Sequence, residues 1–116
     1  MKRLLILATL FVGLASLQAC YYDSEEKLYG VIVIESALWQ ADIEPIISTN
    51  CAIPGCHAAG SGLPDLSTYA NVKAFVDDGS IAERVVQLQD MPPSDPLTPK
   101  EVALVEFWIN EGALEN

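Results

Sequence analysis

The sequence predicts an all-α domain of about four short helices, and three observations predict it. After residue 40 the apolar residues recur mainly at intervals of three and four, and capping residues stand at the head of each such stretch. Only one short β-branched run, Val31-Ile32-Val33-Ile34, favours extended backbone, and it is too isolated to imply a sheet.

The first helix is expected to be capped by Asp42, to run through Ile43, Ile46 and Ile47, and to lead directly into Cys51. Pro45 is tolerated there because it falls in the first turn, where its missing N–H has no intrahelical partner. Ser67 or Thr68 begins a second helix with Tyr69, Val72, Phe75 and Val76 on one side, ending at Asp78-Gly79. Ser80-Ile81-Ala82-Glu83 has the form of a capping box for a third, carrying Val85, Val86 and Leu88. The last helix has the fullest set of signals: Thr98 as N-cap, Pro99 at the first helical position and Glu101 three residues after the cap. Its stripe of Val102, Val105, Trp108 and Ile109 stops at Gly112. No internal repeat and no second domain is evident.

Ahead of these elements lies an address. Lys2 and Arg3 precede an apolar run, Leu4 to Leu17, too short to span a bilayer as a helix but suited to the h-region of a secretory signal. The run ends in Leu17-Gln18-Ala19-Cys20, similar to the bacterial lipobox, so residues 1–19 are expected to be removed and Cys20 to carry a lipid. Residues 20–40, with the polar, acidic stretch Tyr21 to Gly30, are read as a tether, and 41–116 as the domain.

Loss of residues 1–19 removes Lys2 and Arg3 and no acid, so the formal charge moves from −10 to −12. Such a surface repels nucleic acid, which removes that class of function, and favours a partner with a basic docking patch. Lipidation of Cys20 would leave Cys51 and Cys56 as the available thiols in an exported, oxidising setting.

Those two thiols lie in Asn50-Cys51-Ala52-Ile53-Pro54-Gly55-Cys56-His57, a CxxxxCH stretch. Structural zinc wants four ligands, and this set is one short. Nucleophilic catalysis by cysteine needs a histidine held by a further orienting residue, and nothing marks one here. A disulfide is open to the pair, because Pro54-Gly55 allows a turn that could bring the sulfurs together. Covalent haem attachment is equally open: two thiols form thioethers with the vinyl groups, the following imidazole faces the iron, and Pro54-Gly55 lets the two extra residues bulge outward.

Met91 tips the balance toward haem. It is the one methionine after the signal, 34 residues beyond His57, in Gln87-Leu88-Gln89-Asp90-Met91-Pro92-Pro93. A lone methionine usually fills gaps in a helix face. This one precedes two prolines that stiffen an extended segment, as suits a side chain presented in one direction as a distal ligand.

With these residues in place the chain resembles the class I type of monohaem cytochrome c domain, especially the small lipoprotein cytochromes of planctomycete-type and related bacterial families. The matching pieces, in family order, are DIEPIISTNCAIPGCH, GLPDLSTY, MPPSDPLTPKE and VEFWINEGA, spanning about Ala41 to Ala113. The departure is the CxxxxCH spacing. The resemblance implies a cytochrome c-like all-α fold around one covalent haem c per chain, bound through Cys51 and Cys56, with His57 as proximal and Met91 as distal ligand. It further implies that the Pro64 carbonyl accepts the other imidazole N–H, that Leu66 packs on the ring, and that Phe107 or Trp108 meets Ile43, Ile46 or Ile47 where the terminal helices cross.

The function expected on this basis is one-electron transfer rather than catalysis, with a redox partner protein, by a lipoprotein anchored to a bacterial membrane through Cys20 and facing the periplasm or cell exterior. Two rivals stand beside it: a haem enzyme or sensor with an open distal face, and a haem-free interaction module with a Cys51–Cys56 disulfide.

Overall fold

The structure, a computed structural model, describes residues 32–116. Cys20 and the stretch Tyr21 to Gly30, with the lipid and tether expected of them, lie outside the described residues. A π-helical segment, Trp39–Ile43, runs directly into helix α1, Glu44–Asn50. Helix α2 spans Tyr69–Asp77, a second π-helical segment spans Ala82–Gln87, and helix α3 spans Pro99–Asn110. Among the described residues the regular structure is all helical, with no strand.

The last helix forms for the reasons its sequence states. The Thr98 hydroxyl accepts from the Glu101 N–H at 3.3 Å, the Glu101 carboxylate accepts from the Thr98 N–H at 2.8 Å, and Pro99 follows the cap. An N-cap of this kind contributes about 1 kcal/mol. At the other end Gly112, at φ 94°, donates to the Ile109 carbonyl, and Ala113 donates to that of Trp108 at 2.8 Å. These two bonds make a Schellman close that satisfies carbonyls the helix leaves open. Thr68 caps α2, accepting from the Asn71 N–H at 3.3 Å, and α2 stops at Asp78-Gly79.

The first and third starts differ from expectation. Asp42 lies inside the first wide turn instead of ahead of it, and its carboxylate reaches back to accept the Leu38 N–H at 2.9 Å. It still supplies an acceptor at a helix start, from within. The Ser80-Ile81-Ala82-Glu83 box does not form. Asp78 accepts the Ser80 N–H at 2.8 Å, and the Gly79 carbonyl already accepts from Glu83, so helical bonding begins before Ser80 can act as cap.

The core is apolar throughout: Ala37, Trp39, Ile43, Ile46, Ile47, Cys51, Val72, Ile81, Val85, Val105, Trp108 and Ala113 are buried, and among the described residues no buried one is polar or charged. Ala37 and Trp39, ahead of residue 41, belong to this core, and residues 32–116 form one compact unit. Trp39 is held by partners far along the chain. Its ring meets Tyr69 edge-on at 5.2 Å and Trp108 at 5.4 Å, and its N–H donates to the Asn116 side chain at 3.0 Å. Tyr69 in turn donates its hydroxyl hydrogen to the Ala113 carbonyl, and Trp108 donates its indole N–H to that of Leu114, both at 2.9 Å.

Of the two aromatics expected at the helix crossing, Trp108 enters the core and Phe107 stays half-buried. The partner of α3 at that crossing is the Trp39–Ile43 segment, and α3 also packs on Ala82–Gln87. Leu88, expected on the apolar side of the third helix, is 58% exposed.

Candidate functional site

Helix α1 delivers Cys51 to the core, where the residue is 8% exposed and its N–H is still bonded to the Ile47 carbonyl. The chain then reverses through Ile53-Pro54-Gly55-Cys56. The Cys56 N–H donates to the Ile53 carbonyl at 3.0 Å, and Gly55 takes φ 82°, a conformation the third residue of a Pro-Gly turn requires and glycine adopts without strain. The turn absorbs the extra length of the loop, so that the His57 N–H returns to donate to the Cys51 carbonyl at 3.0 Å.

Beyond His57 the loop folds back once more. The Leu66 N–H donates to the His57 carbonyl at 2.9 Å, which brings Pro64 beside the imidazole. His57 Nδ1 lies 2.7 Å from the Pro64 carbonyl oxygen. A carbonyl only accepts, so Nδ1 carries the hydrogen in this pair, and Nε2 is left as the ring nitrogen with a free lone pair. Asp65 braces the turn, its carboxyl held below the usual range by hydrogen bonds from the Ser67 side chain and N–H.

Both cysteines are free thiols, Cys51 buried and Cys56 half-buried. Burial, and then the nearby charge of Cys56, push the Cys51 thiol up to about 11 from 9.0. The site therefore favours an uncharged sulfur at position 51, thiol or thioether, over a thiolate. A folded-state value raised above the unfolded one adds stability that is whole below pH 9 and is lost as pH rises from 9 to 11. About two units correspond to about 3 kcal/mol. In the chain with both thiols free, the urea midpoint of the parent is expected to fall more between pH 8 and 11 than that of Cys51→Ala. Equal falls would refute the assignment.

Met91 is half-buried and packs against the same apolar cluster that contains Cys51 and that Leu66 also touches. Met91, Leu66 and Cys51 thus share one cluster, and no hydrogen bond joins Met91 to the CxxxxCH loop among the described residues. Three large aliphatic side chains in the segments carrying these residues are left exposed: Ile53 at 36%, Leu63 at 53% and Leu88 at 58%. A shallow hollow of about 270 Å³ lies elsewhere, lined by Ile32, Ile34, Ala103, Glu106, Phe107 and Asn110.

No family model, no curated protein and no solved structure matches the chain. Its chemistry rests on its own residues. Among the described residues no three His, Cys, Asp or Glu side chains converge to hold a metal ion. The groups able to hold a cofactor are the two sulfurs of Cys51 and Cys56, His57 Nε2 and the Met91 thioether. Arg84 and Asp90, which bond to each other just before Met91, are not marked by the sequence pattern; an Arg and an Asp six apart in an acidic chain carry no signal by themselves.

Proposed function

We propose that the protein is a one-electron carrier of the cytochrome c type, in which Cys51 and Cys56 would hold one haem through thioethers and His57 and Met91 would ligate its iron. The observation that carries this reading is the 2.7 Å hydrogen bond from His57 Nδ1 to the Pro64 carbonyl. It fixes the tautomer and the ring orientation and leaves Nε2 available, as a carbonyl does behind a ligating histidine. The residues fit the group in two further respects. Cys51 stands where a neutral sulfur is favoured, and Ile53, Leu63 and Leu88 offer apolar side chains that a porphyrin would cover.

A haem held there supplies reversible ferric–ferrous chemistry, which none of the protein's own side chains provides. The role of the chain is to hold and to shield. His57 is kept from rotating by Pro64 and by the backbone bonds on both its sides, and Met91 is kept near the core by packing. His57 and Met91 would hold the metal through an imidazole and a thioether, and the group would supply one-electron transfer in place of substrate turnover. Thioether ligation raises the potential relative to a second histidine. The acidic surface suits a partner with a basic face, and Cys20 would anchor the carrier to a bacterial membrane, facing the periplasm or exterior.

The test is to express the full chain in a bacterium that matures c-type haem and to record the optical spectrum and intact mass under denaturing conditions. A coloured protein that keeps one haem per chain after denaturation is expected. A colourless product two hydrogens lighter than the free-thiol polypeptide would refute the proposal in favour of the disulfide-closed module.

A further inference from the structure

Arg84 and Asp90 are joined twice. The Arg84 Nε donates to the Asp90 carboxylate at 2.7 Å, and the Asp90 N–H donates to the Arg84 carbonyl at 3.1 Å. Between them the chain makes a tight reversal: the Leu88 N–H closes the helical segment on the Glu83 carbonyl, and Gln89 takes φ 51°, an uncommon left-handed conformation for a side-chain-bearing residue. Arg84 itself sits on firm ground. Its neighbour Val85 is buried in the core, and the Ala82–Gln87 segment packs against α3.

The stretch after Asp90 is held far less firmly. Among the described residues, no backbone N–H or carbonyl from Met91 to Leu97 has a hydrogen-bond partner. Pro92, Pro93 and Pro96 have no N–H to give. The next anchored position is Thr98, at the cap of α3. Met91 is therefore the first residue of an unbonded stretch, and the double tie at Asp90 is the last polar constraint before it.

We propose that Arg84 and Asp90 are positioning residues for the Met91 ligand: by tying the residue before Met91 to a helical segment rooted in the core, they keep the thioether on the iron. The proposal rests on the proposed function, because it presumes a haem that Met91 ligates. Neither side chain is itself one of the proposed ligands. Their effect acts through the fraction of molecules in which the Met91 side chain has left the metal.

Imidazole added to the ferric holoprotein reads that fraction, since it binds only where Met91 has come away, and its apparent affinity scales with the open population. In Arg84→Gln and in Asp90→Asn the affinity for imidazole is expected to rise about threefold to fivefold, the scale of an exposed ion pair. Arg84→Lys, which keeps the charge but not the Nε donor, should fall between parent and Arg84→Gln. In a Met91→Ala background the same substitutions should change nothing, because no thioether is left to position. A general loosening of the fold would act in both backgrounds, so an equal rise in the Met91→Ala background overturns the proposal. Unchanged affinity in both Arg84→Gln and Asp90→Asn overturns it as well. A failure of the underlying reading is visible earlier and separately, as a purified protein without haem.

Discussion

Replacing Cys51 and Cys56 together with alanine is expected to yield a chain from which every trace of haem is extracted on denaturation, while the parent retains one haem per chain under the same treatment. Each single replacement leaves one sulfur and hence one thioether, so Cys51→Ala and Cys56→Ala should each keep the group attached, in lower yield. The two should differ. Cys51 is 8% exposed and part of the core, and its truncation leaves a small void in the cluster that also contains Ile46 and Ile47. Cys56 is half-buried at the end of a surface turn, and its truncation should cost the fold less. Cys51→Ala is therefore expected to lower both attachment and the thermal midpoint, and Cys56→Ala mainly attachment. Intact mass beside the parent from the same host decides it, because any lipid at Cys20 is common to all four proteins. A double variant that still carries a covalent group of haem mass would sink the assignment of both sulfurs.

Local chemistry is legible in the sequence and long-range packing is not. The Thr98 cap, the Thr68 cap and the stop at Gly112 depend on residues within five positions of one another, and the structure has all three. The Ser80 box looks equally local, yet Asp78, two residues upstream, takes the Ser80 N–H first. Trp39 reads as part of a tether because the residues around it show no helical period. Its burial depends on Tyr69, Trp108 and Asn116, thirty to seventy-seven positions away, and no local pattern announces partners at that distance. The two π-helical segments, which bury Trp39 and Ile43 in one and Val85 in the other, carry no local sequence signal for their wider turn.

The candidate site divides the same way. Pro54-Gly55 reads as a reversal from residue types alone, and the structure has the turn with Gly55 at φ 82°. The Pro64 acceptor is expected only from a resemblance; in the structure the Pro64 carbonyl lies 2.7 Å from His57 Nδ1, in a loop closed by the Leu66-to-His57 backbone bond. Leu88 falls on the expected core stripe yet is exposed, because periodicity marks an apolar face without saying which of its residues the fold covers. Arg84 and Asp90 become meaningful only once the unbonded stretch after them is seen.

The largest effect on stability is expected at Trp108. This residue is 1% exposed, stacks at 5.4 Å on Trp39, and donates its indole N–H to the Leu114 carbonyl at 2.9 Å. Truncating a buried tryptophan to alanine costs about 3–5 kcal/mol. A domain of this size has only about 5–10 kcal/mol in total, so Trp108→Ala should remove a large share of it and lower the thermal midpoint of the haem-free chain by roughly 15–30 °C. Trp108→Phe, which keeps the ring volume in part and gives up the Leu114 bond, should cost less than half as much. The consequence reaches the candidate site, because Trp108 and Cys51 belong to one core against which Met91 and Leu66 pack. On the proposed function a covalently attached haem would add buried contacts to that core, so a holoprotein should tolerate Trp108→Ala better than the haem-free chain does. Thermal unfolding followed by far-UV circular dichroism on both forms checks this, and a midpoint lowered by less than about 5 °C in the haem-free chain would show that Trp108 is not the keystone its burial implies.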